Sequence, residues 1–216
     1  MIAGIISIVI STVSGALLFP QKKTVSAVLH PISRVEEMVK TMNPEHGPAA
    51  VKIVEISSFT CKHCRDVQKP LQRLQDTFDS VSHVFLPYGM LSGPSGVYAR
   101  AFIAAGNQGK GMAMKNALFH QQSVHNGQEI DLEGLALSTV FRIADSLGLH
   151  LDSFEHDLYN QTTKTLLGTI HREVKKASIT STPVVIINGF AVKGALCYRG
   201  YEKAVRTLLS REATNG

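Results

Sequence analysis

Two of the chain's three cysteines stand at Cys61 and Cys64 in the stretch SSFTCKHCRDVQ, with Lys62 and His63 between them. Sulfurs at this spacing can clamp zinc, staple the chain or carry electrons. A structural zinc site takes four ligands and usually a second close pair, whereas Cys197 is the only other thiol. A cross-link around a two-residue loop constrains the unfolded chain very little. Redox chemistry is the use that remains, with Cu(I) binding by two soft thiolates as a rival from another class.

Thiolate rather than thiol is the nucleophile, and a cysteine at a helix N-terminus faces unpaired backbone N–H groups and the positive end of the helix dipole. Cys61 is expected there. The dipole contributes about 0.3–1 kcal/mol, and a protonated His63 about 5 Å away adds on the order of 3 kcal/mol before solvent screening. Each pKa unit is roughly 1.4 kcal/mol, so Cys61 should titrate well below an ordinary thiol. Stabilising the thiolate makes the disulfide a stronger oxidant, by roughly 30 mV for each 1.4 kcal/mol. Cys61 would exchange with a substrate thiol, and Cys64, deeper in the helix, would resolve the mixed disulfide. Glu55 shares a strand face with Val51 and Ile53. If that face is covered, desolvation should raise its pKa and suit it to exchange a proton with Cys64, directly or through water. On an edge strand it would simply face water.

The elements that must hold these groups are readable from periodicity. VKIVEIS, 51 to 57, is β-branched and apolar on both faces except at Glu55, as a strand covered on both sides should be. Val67, Leu71, Leu74 and Phe78 then recur at helical spacing, so a helix starts at or just before Cys61, with a kink near Pro70. SHVFLPY, 82 to 88, reads as a second strand and SGPSG as a loop. From 97 to 177 only helical periodicity appears, with Leu132, Leu135, Val140, Phe141, Ala144 and Leu147 in one segment. Leu166, Leu167, Ile170, Val174 and Ala177 mark another. PVVIINGFAVKG restores strand alternation around an Asn188-Gly189 turn of the type I′ kind, and a last helix follows at about 201–211.

The chain has 216 residues, 44% hydrophobic and 18% charged, which suits one core with a subdomain. Its net charge of +5 is scattered, which reads as a solvated surface and not as a nucleic-acid site. The first nineteen residues carry no charged side chain, so residues 1–23 read as a signal peptide or a membrane anchor through residues 2–19. Lys22 and Lys23 follow that run with no basic residue before it, a bias toward a cytoplasmic C-terminal domain that conflicts with export. Residues 24–46 form a linker or a self-association helix broken at Pro31, and NPEHGP, 43 to 48, marks the boundary of the folded domain.

VEISSFTCKHC, the helical insertion, STPVVIING, and KGAL before the final helix together resemble the DsbA-like thiol:disulfide oxidoreductases. The resemblance covers roughly residues 47 to 212. It implies an α/β thioredoxin fold over 47–216 with an inserted α-helical subdomain at about 95–180, preceded by the N-terminal apolar helix. By position, Cys61 resembles the exposed nucleophile, His63 the dipeptide histidine, Cys64 the resolving thiol and Glu55 the buried acid. Pro183 matches the family's cis-proline, with Thr182 before it offering its backbone to an extended substrate as in strand addition. Gly194 and Ala195 match the loop lining the other side of that groove.

No metal or cofactor is implied. The implied partners are cysteine-containing unfolded or secreted proteins and a quinone-linked membrane reductase of the DsbB type, in the periplasm. The dipeptide here is Lys-His where DsbA itself has Pro-His, and threonine before the proline also occurs in isomerase-type and reductase-type relatives. An oligomeric isomerase or reductase, assembled through 24–42, therefore stands beside the oxidase. Cys197 falls just after the groove-lining loop, as a bystander or a partner in mixed disulfides.

Overall fold

Val51, Ile53, Val54 and Ile56 leave the VKIVEIS run no face that could rest in water. The chain accordingly places it inside a sheet, as β1 (Val51–Ser57). The computed structural model describes residues 50–124 and 133–215. In it β1 runs parallel to β2 (Val81–Pro87) and antiparallel to β3 (Val184–Ile187), and β3 pairs antiparallel with β4 (Phe190–Lys193). The four strands lie in the order β2-β1-β3-β4. The register sets Glu55 beside Phe85 on one side and Val185 on the other, so the acid belongs to an inner strand and not to an edge.

Alternation along β1 sends its side chains to two separate cores. Val54 and Ile56 join the larger, which includes Phe59, Phe85, Phe102 and Phe154. Val51 and Ile53 join the smaller, with Leu71, Leu74, Tyr201 and Val205. Burying side chains of this size is worth about 1.5–3 kcal/mol apiece. Helix α1 (Lys62–Asp66) turns its buried Cys64 into the larger core, and the smaller is roofed by α2 (Gln68–Thr77) and by the C-terminal helix described below.

The expected kink is an interruption of one residue, Val67, which keeps right-handed helical backbone angles. Pro70 has no N–H to offer the carbonyl one turn earlier, at Asp66, so the first helix stops and the second restarts at Gln68. The Leu71 N–H then closes on Val67 O at 3.0 Å.

Between β2 and β3 lie α3 (Gly93–Asn107), α4 (Gly111–Val124), α5 (Glu133–Ser146), α6 (Leu151–Tyr159) and α7 (Gln161–Lys176). No strand occurs among the described residues of this insertion, as the periodicity predicts. One expectation fails here. SGPSG is not a loop but the start of α3, with Ser92 as N-cap and Pro94 in the first turn, where its missing N–H costs nothing. Gly96 is required by close approach, since a Cβ there would collide with the Leu91 carbonyl.

Asn188 and Gly189 have φ of 42° and 88°, the positive pair that a type I′ turn demands. Asn188 also clasps the start of β1: its Oδ1 accepts from Lys52 N at 2.7 Å and its Nδ2 donates to Ala50 O at 2.9 Å. The last helix, α8 (Tyr198–Asn215), is longer than the 201–211 expected. The apolar segment 1–23 and the linker 24–46 lie outside the described residues, and no described helix is long and apolar enough to cross a membrane.

Candidate active site

Phe59 fixes the turn that carries the cysteines. Its ring packs 5.2 Å from Phe85 and 5.1 Å from Phe119, so the segment after β1 is nailed to the helical insertion. Cys61 follows as the N-cap of α1, with extended backbone (φ −91°, ψ 119°), while its carbonyl accepts from Cys64 N at 3.0 Å and Arg65 N at 3.2 Å. Cys64, one turn in, is 0% exposed and Cys61 is half-buried. Both are free thiols.

The two sulfurs divide the charge unequally. A hydrogen bond from the Cys64 thiol is the largest influence on Cys61 and outweighs burial. The backbone N–H of Cys64, the Thr182 hydroxyl and the backbone N–H of His63 add to it, bringing Cys61 down to about 5. Burial, then the neighbouring sulfur, pushes Cys64 far above the ordinary thiol range. The arrangement is a thiolate at Cys61 held by a protonated Cys64.

His63 acts differently from expectation. Its imidazole is 73% exposed with Nδ1 3.7 Å from Asp66 Oδ2, and only its backbone N–H stabilises the Cys61 thiolate. The side chain has swung toward the one carboxylate on its own turn, where water screens it.

Glu55 also needs correction. It is fully buried, and burial does push its carboxyl up, but the charge of Lys115 and the hydrogen bond and charge of His83 outweigh that and hold it below its ordinary value. Glu55 is therefore an ionised carboxylate in a paired site, not a desolvated acid awaiting a proton.

Thr182 brings the second loop to the nucleophile: the Cys61 thiol sulfur lies 3.7 Å from the Thr182 carbonyl oxygen, and the Thr182–Pro183 bond is cis. Gly194, at φ 81°, donates from its N–H to Pro183 O at 3.0 Å, which ties the loop of Gly194 and Ala195 to the proline loop. Ala195 is exposed. Cys197 is exposed at the approach to α8, where its carbonyl accepts from Gly200 N and Tyr201 N.

Residues 46–207 match the thioredoxin family. The chain belongs to it. This thioredoxin-family chain shares its fold with a thioredoxin-like oxidoreductase from Silicibacter pomeroyi (22% identity, TM-score 0.66), over 88% of this chain and 99% of that one. It shares it also with the catalytic domain of Proteus mirabilis ScsC (15%, TM-score 0.69), over 86% and 98%. A third likeness is to the thiol-disulfide exchange protein alpha-DsbA2 from Wolbachia pipientis (15%, TM-score 0.65), over 88% and 100%. In sequence it is 24% identical over 182 residues to the Na(+)/H(+) antiporter NhaA 1 of Salinispora arenicola, covering 81% of this chain. It spans about a quarter of that relative's length, 26%.

Sequence reasoning missed the surroundings of Glu55. His83 Nε2 lies 3.0 Å and Lys115 Nζ 3.9 Å from its Oε2, both side chains as sealed from water as the acid. Gln68 Nε2 donates at 2.7 Å to Glu55 Oε1 and at 2.7 Å to the Cys64 carbonyl. The available signal was polarity out of place: a histidine inside SHVFLP, and a lone lysine inside GMAMKNALF. The sequence also holds histidine pairs at metal-ligand spacing, His120 with His125 and His150 with His156. Among the described residues no three His, Cys, Asp or Glu side chains converge.

Proposed function

We propose that this protein is an exported thiol:disulfide oxidoreductase that transfers a Cys61–Cys64 disulfide to cysteines of secreted proteins. The observation that carries the reading is the split between a stabilised Cys61 thiolate, half-exposed beside Thr182 O, and a buried, protonated Cys64. A substrate thiolate attacks Cys61 Sγ of the disulfide, and the bonding pair leaves on Cys64, which takes a proton. A second substrate thiolate attacks the substrate sulfur of the mixed disulfide, and Cys61 departs as its stable anion. Substrate gains a disulfide, the protein becomes a dithiol, and one of the two substrate protons stays on Cys64.

The backbone of Thr182 would align an extended peptide over Cys61 by strand addition, with Gly194 and Ala195 on the far side. A quinone-linked membrane reductase of the DsbB type would restore the disulfide. Support for export comes from a structural neighbour described as a periplasmic thioredoxin-like protein of Salmonella enterica. The antiporter's ion transport has no part in the reading.

Equilibration of the protein in glutathione buffers of graded ratio tests it. A potential well above that of thioredoxin, about −270 mV, is expected. A value at or below thioredoxin's transfers the reading to reductase.

A further inference from the structure

Polar side chains from three elements form one line from the surface to the neighbourhood of Cys64. Gln75 of α2 is partly exposed, and its Oε1 lies 3.1 Å from His83 Nδ1. Across the ring, His83 Nε2 lies 3.0 Å from Glu55 Oε2. The other carboxylate oxygen accepts from Gln68, whose same nitrogen donates to the Cys64 carbonyl. Both His83 and Glu55 are buried, so a proton reaching them from solvent has this line to follow.

An imidazole held between a carboxylate and an amide has two satisfied arrangements. Neutral, it donates from Nε2 to Glu55 and accepts at Nδ1 from the Gln75 amide nitrogen. Charged, it donates from both nitrogens and Gln75 presents its oxygen. A half-turn of the Gln75 amide interconverts the two, and such an amide has both a donor and an acceptor to offer. A proton can thus enter or leave the ring without stranding a buried polar atom.

We propose that His83 is the proton carrier of the thiol exchange, passing a proton between solvent at Gln75 and the Glu55 carboxylate, which Gln68 ties to the main chain of Cys64. This rests on the oxidoreductase reading and deepens it. The charged and titratable groups around the ring are Glu55 from β1 and Lys115 from α4, and Tyr201 from α8 is close enough for the Glu55 charge to help raise its phenol. Lys115, also over the Phe85 ring at 5.5 Å, fixes the carboxylate in its ionised form. The changeable proton then belongs to the imidazole: with Gln75 Oε1 at Nδ1 and Glu55 Oε2 at Nε2 the ring stands in its charged arrangement, and burial and Lys115 dispose it to give the proton up.

At the inner end, Ser57 Oγ and Gln68 Oε1 are buried. The Ser57 hydroxyl is close enough to favour the ionised carboxylate, yet it makes no well-formed hydrogen bond to a described residue, and neither does Gln68 Oε1. Ser57 precedes Ser58, whose N–H donates to Cys64 Sγ at 3.4 Å. These two oxygens give the last step capacity to bond a moving proton or a bridging water.

When a substrate thiolate breaks the Cys61–Cys64 bond, the electron pair left on Cys64 takes a proton that Glu55 relays from the charged His83 ring, which is left neutral. His83 is reloaded from solvent through Gln75. Re-formation of the disulfide runs the same transfers backwards, with Cys64 giving up its proton as it attacks.

The test begins with the unaltered protein. Nitrogen-15 spectra of the His83 imidazole, followed against pH in the oxidised and reduced forms, should give different titrations, because loss of the Cys64 proton site changes what the ring holds. In H83Q the resolution of a mixed disulfide should slow on the order of a hundredfold and lose one inflection of its pH profile. The thiolate absorbance of Cys61 should titrate as before. Identical imidazole titrations in both redox forms overturn the proposal, as does an H83Q rate and profile matching the parent. If the parent exchanges no disulfide at all, the oxidoreductase reading itself fails, whereas normal exchange with an unresponsive His83 removes the relay alone.

Discussion

Cys61 Sγ and the carbonyl oxygen of Thr182 lie 3.7 Å apart, so the reactive sulfur and the backbone edge that would receive a peptide occupy one place. Thr182 acts there in two separable ways. Its hydroxyl helps to stabilise the Cys61 thiolate, whereas pairing with an extended peptide needs only its main chain. T182V keeps the shape and the backbone and removes the hydroxyl. Ultraviolet titration should show the Cys61 pKa raised, while KM for a model cysteine peptide stays within about twofold, far short of the tenfold that 1.4 kcal/mol would bring.

The hydrogen bond between the two sulfurs is the largest stabiliser of the Cys61 anion, and the His63 imidazole is not among its stabilisers. C64A should therefore raise the Cys61 pKa more than any other single change at the site. C64S, which keeps a donor, should raise it less. H63A should leave it nearly where it was, because the backbone N–H survives the substitution. A large rise in H63A would mean that the imidazole turns back onto the sulfur in solution.

A depressed thiol pKa makes the reduced protein's stability depend on pH. Cys61 titrates near 5 in the folded chain and at about 8.5 when unfolded, so between those values the unfolded state binds more protons. The contribution is fully present above about 8.5 and is lost as pH falls through 5. Above about 8.5 the buried Cys64, raised by desolvation, works in the opposite direction. The disulfide form has neither titration. Melting curves should show Tm of the reduced form falling relative to the oxidised form on going from pH 8 to pH 5, as a set of paired scans would read directly.

The parts of the site legible in sequence are those set by neighbours along the chain. The VEISSFTCKHC run fixes strand, turn, N-cap and buried thiol within a dozen residues, and STPVVIING does the same for the proline loop. Alternation leaves Glu55 either covered or facing water and only the family resemblance implies its burial, while its charge state depends on His83 across a parallel pairing and on Lys115 from a helix of the insertion. Periodicity reports which face is covered and says nothing of what covers it. The start of α3 escaped for a local reason: SGPSG has turn composition, and a serine followed by glycine and proline opens a loop as readily as it stands at the N-cap of a helix with proline in its first turn. Asn188 was read for its turn, whereas its grip on Lys52 and Ala50 exists only once the hairpin lies beside β1.

Lys115 offers the sharpest test of how Glu55 is charged. Removing one partner of a buried ion pair leaves the other without compensation and costs about 3–5 kcal/mol, whereas replacing both with neutral groups is often close to neutral. K115M should destabilise the fold strongly in urea at pH 7, and E55Q/K115M should recover much of the loss, since a glutamine at 55 can still accept from Gln68. The K115M deficit should shrink as pH falls far enough to protonate Glu55, because a neutral carboxyl no longer needs the lysine. A double variant no more stable than K115M at pH 7 would mean that the carboxyl is already uncharged there, and that the lysine serves through its ammonium over the Phe85 ring.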